Sequence, residues 1–254
     1  AEEMEHMNKA VMDMADTGKY IHGPQELAKA LFHIESVGFR GAEALSVLKT
    51  ASEGAMVGSA GLEETTNALV GAQKTQIKGT ETVASTMAIL NAAIGMGNLR
   101  MDEMTSALGT GLANAAKGAG VSLQDVLGAL DILTQQGIPA VQGATKLAMS
   151  LATMQAPTVK ATAALKQLGL GRLELAQVMR EKGLPAALGL LQSRLLGVTD
   201  ENKRAAIVLD IFSRRAGKTM LTLLNDIKGL DTATEGIKAS VEKYTKFVEH
   251  RPKH

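Results

Sequence analysis

The sequence predicts an all-α fold, a bundle of short amphipathic helices paired as hairpins and cut by glycine and proline, and three observations predict it. Apolar residues recur every three or four positions from end to end. No segment sustains the alternation and the β-branched and aromatic enrichment of a strand. The stretch 121–139, VSLQDVLGALDILTQQGIP, writes one complete helix with both ends marked. Ser122 is placed to cap its N-terminus, with Asp125 three residues on as the answering acid of a capping box. Leu123, Val126, Leu127, Leu130 and Leu133 share one face. Gly137 supplies a left-handed stop, Ile138 sits where a Schellman turn takes an apolar residue, and Pro139 is preset for the first turn of the next helix.

Three regions follow in order. Residues 1–23 form an N-terminal amphipathic segment in which Glu2, Glu3, Glu5 and Asp13 interleave with Met4, Met7, Met12 and Met14. It reads first as an amphipathic helix and second as an adaptable Met-rich contact surface. Residues 24–230 form the helical core. Gly23 and Pro24 open a helix with Leu27, Leu31 and Ile34 on its apolar face; Gly38 and Gly41 interrupt before Leu45, Leu48, Ala51 and Ala55. Further on, the turn at Gly183 and Pro185 separates a helix carrying Leu175, Val178 and Met179 from one carrying Leu188, Leu191 and Leu195, and Thr199 is expected to cap a helix through Ile207 and Ile211. Residues 231–254 form a C-terminal helix with Ile237, Val241, Tyr244 and Val248 as a narrow stripe, which either packs on the body or continues into a coiled coil in the remainder of the chain.

A weak echo runs along the core at an offset of 61 residues: Ala55, Leu62, Ala68, Leu69 and Ile77 line up with Ala116, Leu123, Ala129, Leu130 and Ile138. Duplication of a helix–turn–helix unit and a shared Ala/Leu-rich composition account for it equally well; duplication predicts stacked hairpins over about residues 41–156. Interior glycine costs a helix about 0.5–1 kcal/mol relative to alanine. Gly54, Gly58, Gly95, Gly97 and the glycines of 109–118 are therefore expected to mark breaks between helices, with close backbone approach as the alternative.

Composition narrows the chemistry. With 27 basic and 26 acidic residues the net charge is +1, which gives no strong pull toward nucleic acid or an acidic membrane. Six aromatic residues, two Tyr and four Phe, leave packing to Ala, Leu, Val and 13 Met. The absence of Cys excludes disulfides and thiolate metal sites. Apolar runs such as 184–191 fall far short of the roughly 20 residues a bilayer span requires. The opening residues carry no initiator Met and no signal-like apolar run, so the sequence reads as an excerpt of a longer polypeptide.

No catalytic, cofactor-binding or metal-binding residue is nominated. The segment 214–219, RRAGKT, ends like a phosphate-binding loop, but Phe212 stands where the first glycine belongs and no strand precedes it. In 169–174, GLGRLE, Glu174 replaces the third glycine of a dinucleotide fingerprint, leaving a turn between helices. His6, His22, His33, His250 and His254 form no zinc spacing and are expected to be exposed or locally hydrogen-bonded.

The runs 121–130 and 137–147, followed by 151–158, 164–170, 180–184 and 211–217, resemble the core region of tailed-bacteriophage tail tape measure proteins. Upstream, 24–39 resembles the start of that region in phages of actinobacterial hosts, so the resemblance covers about 24–226. It implies a structural protein of the virion, without catalytic residues or cofactors, that sets tail length and occupies the tail lumen or tip before leaving ahead of DNA. Its implied partners are tail tube and tail-tip proteins and further copies of itself around the tail axis, with indirect DNA contact and host-membrane contact during ejection. Assembly would take place in the host cytoplasm. A straight helix of this length would reach at most about 380 Å at 1.5 Å per residue. The glycine and proline breaks argue for a chain folded back into a compact domain instead. The long hydrophobic stretches such proteins often carry are missing here. A membrane-active segment used in genome delivery is the alternative, and a fused cell-wall hydrolase a third reading.

Overall fold

The computed structural model describes residues 2–17 and 20–249, with side chains of 5–17 and 20–243. Its helices are α1 (Glu2–Asp16), α2 (Pro24–Ser36), α3 (Gly41–Gly58), α4 (Leu62–Thr75), α5 (Val83–Met96), α6 (Met101–Ala107), α7 (Ala113–Ala119) and α8 (Leu123–Gln135). They continue with α9 (Ala140–Gln155), α10 (Val159–Gln167), α11 (Glu174–Lys182), α12 (Leu184–Leu196), α13 (Glu201–Asn225) and α14 (Ile227–Glu249). A π-type turn, Leu108–Leu112, joins α6 to α7. The fold is all-α, and among the described residues strand-like pairing is limited to one isolated parallel bridge between Lys78 and Ser122.

Several helix ends follow from local chemistry. Ser122 caps α8 by accepting the Asp125 N–H at 3.1 Å. At the other end Gly137 takes φ +79°, and the Ile138 and Gly137 amides donate to the Leu133 and Thr134 carbonyls at 2.9 Å each. That pair of bonds is the Schellman motif. Pro24 is the first residue of α2, whereas Pro139 precedes the first turn of α9 as its cap residue. The cap of α13 is Asp200, not Thr199: its carboxylate accepts from the amides of Asn202 and Lys203 at 2.9 and 3.2 Å. An ionised acceptor one residue closer outcompetes the threonine hydroxyl.

The echo recurs in the backbone. Helix α3 ends at Gly58 and α7 at Ala119; Ser59 and Gly120 follow with φ +50° and +73°. Leu62 and Leu123 open α4 and α8, which are followed by left-handed Gln76 and Gly137. The Ala60 amide donates to the Ala55 carbonyl at 3.0 Å, as Val121 donates to Ala116 at 2.9 Å. In both copies the first helix packs on the third, α3 on α5 and α7 on α9, and the second also packs on the third.

Glycine plays two roles. The π-type turn at Gly111, with φ +90°, and the end of α5 at Gly97 are breaks. Gly54 corrects the expectation of a break, because it lies inside α3 and a Cβ there would stand 2.3 Å from the Met87 sulfur of α5. The missing side chain lets the two helices meet.

Helix α8 runs through the centre, with its residues from Asp125 to Leu133 all buried. Helix α14 lies against α5, α8 and α12 and buries Leu230, Ala233 and Ile237. Met7 and Val11 of α1 join the same core, while Met12 is exposed, as an amphipathic helix requires. Met4, Tyr244, Val248, His250 and His254 lie outside the described side chains. Among the described residues no helix is long and apolar enough to cross a membrane.

Candidate functional site: the central helix and its flanking clefts

Two buried carboxylates distinguish α8. Asp125 does not close the expected capping box onto Ser122. Its carboxylate reaches another helix and accepts the Leu184 N–H at 3.0 Å, satisfying the first turn of α12. Gly183 makes room for it: a Cβ there would stand 2.7 Å from Asp125 Oδ2, at a φ of +92° that already favours glycine. Burial pushes the Asp125 carboxyl above the usual aspartate range, opposed by the Leu184 N–H, Lys238, Ser122 and Lys78.

Asp131 holds the turn after α5. It accepts from the Asn98 amide at 3.3 Å and from Gln135 Nε2 at 3.2 Å. Burial raises its pKa as well, against those two hydrogen bonds. Six residues separate the two acids, which is about 9 Å of rise and 240° of rotation. They cannot act as one acid–base pair. Each replaces a missing backbone partner at the end of a neighbouring helix.

A polar cleft of about 400 Å³ opens beside Asp125, lined by Lys78, Glu81, Gln124, Arg180, Lys182 and Lys238 among others. Its charges are mixed, and Glu81 is engaged with the Gly79 amide at 2.8 Å. A second cleft of about 430 Å³ lies between α2 and α4. Ala30, Leu62 and Thr66 form its buried floor, and Phe32, 74% exposed, stands at its edge. Lys29 and Glu63 pair across it at 2.6 Å, which holds the Glu63 carboxyl below its ordinary value. Ile21, Val57 and Val159 are further exposed apolar side chains. Ser122 and Asp125 share the polar cleft, where the Ser122 hydroxyl is committed to capping α8 by accepting the Asp125 N–H.

Both motif-like segments are parts of helices or turns. Residues 214–219 are helical, in the second half of α13, with Arg214, Arg215 and Lys218 exposed. Residues 169–174 form the turn into α11, where Glu174 accepts the Gly171 N–H at 2.7 Å. His22 departs from expectation: it is buried, with Nδ1 3.7 Å from Glu26 and no partner for Nε2. Among the described residues no group of three or more acidic or histidine side chains is placed to hold a metal ion. The contact of Asp125 with Leu184, 59 residues away, had no sequence signal beyond the Gly183 turn.

The model of the family described as phage-related minor tail protein matches residues 8–213. No curated protein and no solved structure matches the chain.

Proposed function

The chain belongs to the phage-related minor tail protein family, and from that premise we propose that it is the compact helical domain of a tail tape measure protein. Membership in the family makes it a structural component of a phage tail, in contact with other tail components. The finer reading is that the domain helps to template tail-tube length and sits in the tail lumen or at the tip before DNA ejection, after assembly in the host cytoplasm. Tail tube and tip proteins, and further copies of the chain around the tail axis, are its proposed partners. No catalytic step is assigned to it. Residues 24–230 are read as the core, with 1–23 as the opening segment and 231–254 as the helix leading onward.

The observation that carries this reading is the extent of the family match, which runs from α1 to the middle of α13 and so spans the glycine- and proline-cut helices of the core. The direct test is the position of a labelled copy in intact particles by electron cryomicroscopy. Density on the tail axis, in the lumen or at the tip, is expected. Density on the outer surface of the tube would refute the tape measure assignment, and release of dye from liposomes by the purified protein would favour the membrane-active alternative.

A further inference from the structure

Helix α13 contains a corner. Ser213 has φ +67° and ψ 164°, a combination essentially confined to glycine. Eight residues of straight helix advance about 12 Å, yet a Cβ on Gly217 would lie 3.2 Å from the Leu209 Cα. The two halves of α13 therefore fold against each other with no loop between them. Ile211 and Phe212 are buried before the corner and Ala216 and Gly217 after it, while Ser213, Arg214 and Arg215 are exposed. One exposed residue carries the whole turn.

Beyond it, the second half of α13 buries Met220, Leu223 and Leu224, and α14 covers α5 and α8 with Leu230, Ala233 and Ile237. Gly128 of α8 receives Thr234 there, at distances of 2.7–3.3 Å from a would-be Cβ. The family match ends at residue 213, the corner itself.

We infer that residues 214–249 are exchanged between two copies of this chain: α13 straightens at Ser213, and α14 of each copy covers the α5–α8 face of the other. The large burial under α14 does not decide between the closed and exchanged forms, because every contact between 214–249 and the rest of the chain re-forms across the pair. What differs is the hinge, set against the translational and rotational freedom that two chains lose on pairing. In the exchanged form each Ser213 leaves a glycine-only conformation for a helical one, and short strained hinges favour exchange for this reason. Straightened, the 25 residues of α13 make a rod of about 37 Å. The inference deepens the self-association proposed above and rests on that part of the reading.

The full chain has no cysteine, so single cysteines can report the exchange. Lys182 and Lys238 line the same clefts from either side of the corner in sequence. Co-expressed Lys182→Cys and Lys238→Cys chains, treated with a short bis-maleimide, should become linked to each other in a dimeric fraction resolved by light scattering. Ser213→Gly should raise the dimer Kd at least about tenfold, equivalent to 1.4 kcal/mol, and Ser213→Ala should lower it. A protein that is monomeric at every concentration, or a dimer linked only within single chains of the double variant, overturns the exchange and leaves the tail assignment standing. Should Ser213→Ala fail to fold, the linkage pattern on the Ser213 background still decides.

Discussion

The same substitution, glycine to alanine inside a helix, should have opposite signs at Gly128 and at Gly71. At Gly71 of α4 a Cβ would meet nothing within 4 Å. Alanine there gains only its helix preference, about 0.5–1 kcal/mol. At Gly128 the same Cβ would stand 2.7 Å from Thr234 Oγ1, 3.2 Å from the Thr234 N and 3.3 Å from its Cα. The hydroxyl can rotate away but the backbone of α14 cannot, so the helix must move by a few tenths of an ångström. Overpacking of this kind costs about 1–3 kcal/mol. It outweighs the gain in helix preference over most of that range and leaves a net loss of up to about 2.5 kcal/mol. For a chain of this size each kcal/mol moves Tm by about 2–4 °C. Thermal unfolding followed by circular dichroism should therefore place Gly71→Ala above the parent and Gly128→Ala below it. Adding Thr234→Ala to Gly128→Ala should recover part of the loss, because it removes the nearest atom, a buried hydroxyl with no hydrogen-bond partner, with a coupling of about 0.5 kcal/mol or more. A Gly128→Ala variant as stable as Gly71→Ala would refute the close approach of α8 and α14.

Further outcomes follow from the buried carboxylates and the exposed apolar surface. Asp125→Ala leaves the buried Leu184 amide without an acceptor and should cost about 1–3 kcal/mol in urea unfolding; Asp125→Asn, which keeps an oxygen there, should cost clearly less, and equal losses would argue against the cap. Because burial raises Asp125 and Asp131, the folded state holds protons that the unfolded chain releases. Their contribution to stability is full below the ordinary aspartate value of 3.8 and is lost as pH rises through the raised folded values. The Asp125→Asn, Asp131→Asn double variant should flatten this part of the Tm-against-pH curve, and an unchanged slope would count against the assignment. Phe32→Ser should change stability by no more than about 0.5 kcal/mol, whereas Phe212→Ala, at a fully buried position, should cost about 3–5 kcal/mol; comparable losses at the two sites would contradict the assigned burial.

Local signals were legible around α8, where one turn of chain contains all the partners. Ser122 caps α8 and Gly137 ends it with Ile138 because donor, acceptor and left-handed residue lie within six positions of one another. The shift from Thr199 to Asp200 is an error of one residue within the same logic. Pairs far apart in sequence were not legible. Asp125 read as a local capping acid, yet it serves a helix that starts 59 residues later; a carboxylate near a helix start satisfies either pattern equally well in one dimension. Gly54 and Gly111 looked alike as glycine in a helical pattern, and one admits Met87 while the other turns the backbone.

By itself the sequence determined the helical class and the ends of particular helices, the start of α2 and both ends of α8 among them, through the period of its apolar residues and the chemistry of its caps. It also carried the echo whose turn geometry recurs 61 positions on, at Ser59 with Gly120 and at Gln76 with Gly137. Tertiary structure alone decided which helices meet, that α14 lies over α5 and α8, and that α13 turns at Ser213. The reason is physical. Caps and periodicity act over a few ångströms along the chain, whereas packing depends on which apolar faces and glycine notches fit together once the chain has folded back.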